Sequence, residues 1–213
     1  MTRPALFLTA GLVAGLVAGL AAFATPARAQ DWPGKTVRIV VPFGPGSTPD
    51  IVARLVADHL QRKYPASAFV VENKPGASGI LGTDAVAKAA PDGSTLGISI
   101  GGPLGINTLR CGKLPYDPAK DIAPVTQLVT MPSALAVHAG LAVGNVGELI
   151  ALLKKEPGKY NFGSIGNGSL SHLTMEAIAQ KSGARLVHIP YPSSPAAMTA
   201  LIRCDVQMAA LPA

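Results

Sequence analysis

The sequence predicts an α/β fold with mainly parallel sheets. Short β-branched or apolar runs alternate along the chain with segments of helical periodicity, the pattern of βαβ units with right-handed crossovers. Three loops rich in glycine and serine each follow a predicted strand and precede a predicted helix. The chain is 48% hydrophobic and only 14% charged, with 23 glycines and 19 prolines. That composition suits a layered protein with many tight turns and excludes a disordered one.

The N-terminus reads as an address. Arg3 precedes an almost continuous apolar run from Leu6 to Phe23, and Ala27-Arg28-Ala29 fits the small-x-small cleavage pattern. Residues 1–29 are therefore expected to be a secretory signal peptide, cut between Ala29 and Gln30. An uncleaved membrane anchor is the alternative, because the apolar run is long for a signal. Cleavage takes Arg3 and Arg28 out of a formal net charge of +6. The remaining length allows one large domain or two small ones. The basic residues are scattered, with no aromatics between them, so no nucleic-acid partner is expected. A modest positive balance is compatible with small anions. Cys111 and Cys204 belong to no metal-spaced pair. Export would permit a disulfide between them, and two separate thiols is the other reading.

The stretch VRIVVPFGPGSTPDIVAR organises the rest. Val37, Ile39, Val40 and Val41 predict a strand covered on both faces. Gly44 and Gly46 allow a sharp bend. Thr48 is the expected N-cap, with Pro49 at the first helical position and Asp50 in the first turn. A strand, a glycine loop and a helix start leave N–H groups unpaired and aimed at an anion. Asp50 favours the helix dipole, and it can also accept a hydrogen bond from a ligand or water. Ile51, Val52, Leu55, Val56 and Leu60 carry the helix to about Lys63. Phe69–Val71 is the second strand, and Asn73 to Gly79 is a loop by composition. A helix over Ile80–Ala90 stops at Pro91-Asp92-Gly93. Thr95–Ile100 is the third strand, leading into the second small-residue loop, Gly101 to Gly105.

Leu114-Pro115-Tyr116-Asp117-Pro118 is a rigid connection. Ile122–Val129 and Leu135–His138 are strand candidates, with passage into a second lobe at Met131-Pro132. Val146–Lys155 is an amphipathic helix ended by Pro157-Gly158. Tyr160–Phe162 is a strand entering the third small-residue loop, Gly163 to Ser169. Ser169 or Ser171 caps the next helix, which reaches about Lys181. Leu186–Ile189 is a strand, Pro195–Ile202 a helix, and Val206–Met208 the start of a further strand. In an open α/β sheet such loops lie beyond the carboxyl ends of the strands, where ligands bind.

Five stretches then become specific together: VRIVVPFGPGSTPDIVARLVADHL, VVENKPGASGILGTDAVAKAAPDGSTL, LPYDPAKDIAPV, LAVHAGLAVGNVGELIALLKKEPGKYNFGSIGNGSLSHL and LVHIPY. In this order and spacing the chain resembles the solute receptors of tripartite tricarboxylate transporters, the Bug or TctC-like family. The resemblance implies a periplasmic-binding-protein-like Venus flytrap of two lobes, here residues 30–129 and 130–213. It implies a periplasmic receptor that captures a small carboxylated solute and hands it to a membrane permease, or reports it to a signalling protein. A monomer without cofactor, metal or catalysis is expected. The carboxylate would be held by backbone amides and waters. Residue by residue, the first loop would supply Gly46, Ser47, Thr48 and Asp50, and the second Gly101, Gly102 and Asn107. The third would supply Ser164, Gly166, Asn167, Ser169 and His172, and Tyr191 would come from the loop after the next strand.

The chain departs from the family pattern at Pro49, where Thr or Ser is usual, at Cys111 and at Pro192 to Pro195. Family members also continue past the position matched by Ala213. The second lobe and the return to the first are therefore expected to be incomplete, and a truncated remnant that binds nothing is the alternative. A serine hydrolase using Ser169 or Ser171 with His172 or His188 is a further reading, although no G-x-S-x-G elbow is present. A dinucleotide site lacks its third glycine at Pro49. His59, His138, His172 and His188 show no metal-ligand spacing.

Overall fold

Strand β1 (Thr36–Val41) is the centre of the first sheet because it is apolar on both faces: Val37, Ile39, Val40 and Val41 are all fully buried. In the computed structural model, which describes residues 32–212, β1 pairs in parallel with β2 (Ala68–Asn73) and β3 (Thr95–Gly97). The order β2-β1-β3 arises from two crossovers, through helices α1 (Thr48–Lys63) and α2 (Ile80–Ala87). After β3 the chain makes a π-helical turn (Gly102–Ile106) that runs on into the short helix α3 (Asn107–Arg110). The expected signal peptide and its Ala29–Gln30 junction lie outside the described residues.

The second sheet has the order β4-β7-β5-β6, from β4 (Ser133–Val137), β5 (Asn161–Ser164), β6 (Val187–Pro190) and β7 (Met208–Pro212). β5 is parallel to β6 and to β7, while β4 is antiparallel to β7. Helices α4 (Val146–Lys155), α5 (Leu170–Ser182) and α6 (Ser194–Ile202) connect these strands. Leu149 and Leu153 of α4, Phe162 of β5, Met175 of α5 and Met208 of β7 form one buried cluster. Each such side chain contributes about 1.5–3 kcal/mol relative to exposure. A second cluster joins Ile39, Val41 and Phe43 to Ile165, Ala197, Ala209 and Leu211. Apolar contact therefore continues from the first sheet to the second.

Several sequence expectations are corrected. The N-cap of α1 is Ser47, not Thr48, and its side chain makes no cap hydrogen bond. Gly101 to Gly105 is not a loop: from Gly102 it is helical, because burying Gly102, Pro103 and Asn107 outweighs the low helix propensity of its glycines. Ile122–Val129 forms no strand. Its Val125 is 87% exposed, so alternation there marks no buried face. The third strand ends at Gly97 and α2 ends at Ala87. The last strand starts at Met208, after a turn in which Cys204 takes a positive φ of 66°. Cys111 and Cys204 are separate free thiols.

Candidate functional site

The loops at the carboxyl ends of the two sheets face one another. The β1–α1 loop meets the β6–α6 loop: a Cβ on Gly44 would lie 3.2 Å from Ser193 Cβ, and one on Gly46 would lie 3.4 Å from Pro195 Cγ. The β2–α2 loop meets the β5–α5 loop, where a Cβ on Gly166 would lie 2.9 Å from Ser78 Oγ. Arg110 at the end of α3 covers Gly168 so closely that no Cβ would fit there without moving the guanidinium. Between these contacts lies a cavity of about 290 Å³. It is lined by Pro42, Phe43, Gly76 to Gly79, Ile165 to Asn167 and Pro190 to Pro192. No lysine, arginine or acidic residue lines it; its polar groups are main chain, Ser78, Asn167 and Tyr191.

The backbone of Gly76 to Gly79 is unusual. All four residues have positive φ: 137°, 48°, 56° and 86° in order. For Ala77 and Ser78 this is the left-handed region, which costs about 1–2 kcal/mol per residue. Asn107 compensates part of it. Its side chain is fully buried and donates from Nδ2 to the Ser78 carbonyl at 3.4 Å. Gly82 fixes α2 behind the loop, since a Cβ there would sit 2.6 Å from Pro42 Cα.

On the first loop, Asp50 is 2% exposed and fully engaged. It accepts from the Gly46 N–H (2.9 Å), from Arg54 Nε and Nη2 (3.0 Å each) and from Asn73 Nδ2 (2.9 Å). Burial alone would raise this carboxyl, but the hydrogen bonds from Arg54, Gly46 and Asn73 outweigh it and hold it below the usual carboxylate range. Asp50 thus serves as the brace that shapes the Gly44–Ser47 turn. Thr48, half-buried, stands in the first turn of α1. Ser47 is 2% exposed and its hydroxyl has no hydrogen-bond partner among the described residues.

On the third loop, Ser164 Oγ accepts from the Gly166 N–H at 3.1 Å and lies 2.6 Å from His188 Nε2. Ser169 caps α5 through the His172 N–H and donates to the Gly166 carbonyl at 2.7 Å. His172 Nδ1 accepts from the Gly168 N–H at 3.0 Å. The hydrolase arrangement is replaced by this scaffold. Ser169 and Ser171 hydroxyls bond each other (2.9 Å), Ser171 accepts from Ile165 N–H, and both residues are buried. The serine that reaches a histidine is Ser164, which has no exposure at all.

The predicted residues therefore divide by place. Gly166, Asn167 and Tyr191 line the smaller cavity. Gly101 and Gly102 line another, of about 680 Å³, with Ile98, Leu104, Val129, Leu170 and Pro212. Gly46, Ser47, Asp50, Asn107, Ser164, Ser169 and His172 shape the loops. Sequence reading missed Ala77, Ser78 and Gly79. The available signal was the KPGASG run itself, a turn-rich segment ahead of a helix.

Two α/β sheets that face each other through strand-end loops, with a small cavity between, define a periplasmic-binding-protein-like fold, and solved receptors of that class match it. The chain belongs to the tripartite tricarboxylate transporter family receptors (TctC), whose family model matches residues 52–213. It is 43% identical over 182 residues to a UPF0065 protein of Bordetella bronchiseptica, covering 85% of this chain and 53% of that protein. Rhodopseudomonas palustris Rpa4515, solved with adipate, superposes with a TM-score of 0.82 at 34% identity, covering 85% of this chain and 60% of the other. MatC from the same organism, solved with bound malate, gives 0.78 at 30% identity, with 85% and 61% covered. The chain thus spans about half the length of that Bordetella relative. The family and these structural neighbours are receptors.

Proposed function

We propose that this chain captures a small carboxylate anion in the 290 Å³ cavity between the β2–α2 and β5–α5 loops. The observation that carries this reading is the chemistry of the lining. Main-chain groups, two hydroxyl side chains and one carboxamide converge on a space without a charged side chain, at the small end of ligand pockets, which run from roughly 300 to 1,000 Å³. Such groups recognise an oxyanion through hydrogen bonds rather than an ion pair. Adipate and malate in the two Rhodopseudomonas receptors support a dicarboxylate. On this reading the two sheets are the cores of two lobes, residues 30–129 and 130–213. The receptor acts in the periplasm after removal of residues 1–29, without catalysis, and delivers its solute to a membrane permease. An anion touching both lobes would favour their closed arrangement.

Thermal unfolding with and without a panel of small carboxylates tests this. An acid present at a hundredfold over its Kd stabilises by about 2.7 kcal/mol, a shift of several degrees. A midpoint raised by adipate or malate and unmoved by an uncharged analogue is the expected result. A cooperative transition that no acid moves would overturn the proposal.

A further inference from the structure

Behind the β5–α5 loop lie two imidazoles that do not line the cavity. His188 on the edge strand β6 stands opposite Phe162 in register. Its ring stacks on Phe162 (4.9 Å between centroids) and on His172 of α5 (3.9 Å, 16° between planes). His188 Nε2 holds Ser164 Oγ, which in turn receives the Gly166 N–H. His172 Nδ1 receives the Gly168 N–H. The two histidines therefore fix the two glycines that meet Ser78 and Arg110 across the cleft.

We propose that His172, stacked on His188, forms a proton-operated latch: neutral, it holds Gly168 under Arg110 of α3, and protonated, it lets Gly168 go, while Ser164 Oγ keeps the Gly166 N–H because it can accept from His188 as well. The mechanism follows from donor and acceptor inventory. An imidazolium has two N–H donors and no lone pair. A protonated His172 cannot accept the Gly168 N–H, so a hydrogen bond becomes a clash of two donors. The two rings, 3.9 Å apart, cannot both be cationic without strong repulsion. Arg110, above Gly168, adds a third positive group on the facing element. Glu176, on the same helix as His172, faces Nε2 at 3.6 Å. It forms an ion pair there only when the ring is protonated, and it does nothing to restore the acceptor at Nδ1. β5 presents only neutral Phe162 and Ser164 to the pair.

Burial, and then the neighbouring His172, lowers His188 to about 4. A histidine whose folded value lies below its ordinary one favours folding fully above about 6.5, and that contribution is lost as pH falls toward the folded value. Because the imidazolium is the form without a lone pair for the Gly168 N–H, the latch opens on acidification.

The test uses the ligand-free protein, so its failure is separate from failure of the anion-binding reading, on which only the latch's consequence for capture rests. NMR follows the imidazole carbons, the amides of Gly166 and Gly168 and the Arg110 Nε–H from neutral pH to well below about 4. The latch requires the Gly168 amide, and the Arg110 Nε–H that faces it across the cleft, to shift with the midpoint of the His172 ring. It also requires that coupling to vanish in His172→Asn/His188→Gln, whose carboxamides keep the acceptor and donor without titrating. A His172 ring that titrates while the Gly168 amide and the Arg110 Nε–H stay still overturns the proposal. So do amides that titrate unchanged in the double variant. Should the variant not fold, the coincidence or divergence of midpoints in the wild type decides by itself.

Discussion

Gly166 and Ser78 stand on loops of different sheets and meet so closely that an added carbon on Gly166 would displace the serine hydroxyl: a Cβ there would lie 2.9 Å from Ser78 Oγ and 3.5 Å from Ser78 Cα. Both residues sit at positive φ, 124° and 56°. Two strained loops are therefore held against each other, and the cavity lies beside their contact. Strain of this kind persists only where the surroundings over-determine it, and it concentrates at ligand clamps.

Gly166→Ala should be costly twice, through the backbone conformation and through the collision with Ser78. Together these are expected to cost about 1–3 kcal/mol. Urea unfolding should show a lower midpoint, and any stabilisation by adipate should fall with it. Ser78→Gly in the same background should recover part of the loss, since it removes the opposing hydroxymethyl group and relaxes its own left-handed backbone.

Asp50→Asn tests the brace of the first loop. The amide cannot accept both Arg54 donors as a carboxylate does, and its N–H₂ must face either the Gly46 and Arg54 Nε donors now on Oδ2 or the Asn73 and Arg54 Nη2 donors now on Oδ1. The expected loss is about 1–3 kcal/mol at neutral pH. The sign of its pH dependence is fixed. The folded carboxyl lies below its ordinary value, so its contribution is complete above about 4 and disappears as pH falls through the lower folded value. Wild type and variant should therefore converge in stability under acid, measured by urea midpoints across that range.

Legibility in the sequence followed locality. β1 and α1 were readable because a β-branched run, a glycine turn, Pro49 and a helical apolar stripe all agree over one short stretch. Helix α4 matched its predicted bounds, Val146 to Lys155, because Asn145 and Glu148 form a reciprocal cap that local spacing reveals. The Gly101 to Gly105 segment misled because its helix depends on burying Gly102, Pro103 and Asn107, a tertiary effect. The Ala77–Ser78 conformation was hidden for the same reason. Nothing local says that an alanine and a serine will take positive φ; Asn107 and Gly166, far along the chain, set it. Asp50 carried two readings in sequence, helix dipole and acceptor for a ligand or water; its bracing by Arg54 and Asn73 belonged to neither, because Asn73 lies far along the chain.

Leu153 is a reference point for the core. It is fully buried among Leu149, Phe162, Met175 and Met208. Leu153→Ala should cost about 2–5 kcal/mol, the range for a leucine whose cavity cannot collapse. It belongs to a different core cluster from the cavity-lining Phe43 and Ile165, so the loss should appear equally with and without adipate. A change in ligand-induced shift larger than the loss of stability would instead place α4 in communication with the cleft.

Ser47→Ala separates a ligand contact from a structural one. An N-cap serine ordinarily loses about 1 kcal/mol on replacement by alanine. Here the hydroxyl makes no cap bond and is buried without a partner. Alanine therefore removes an unsatisfied group, and stability should stay within about 0.5 kcal/mol of wild type or rise. The hydroxyl stands at the N-terminus of α1, where the helix dipole favours negative charge. An anion reaching that turn would supply the missing acceptor, and losing that hydrogen bond would weaken binding by about 1–1.5 kcal/mol, or roughly tenfold in Kd. Unchanged stability with a weakened adipate or malate shift would extend the site from the 290 Å³ cavity to the first loop. Unchanged stability with an unchanged shift would confine the anion to the β2–α2 and β5–α5 loops.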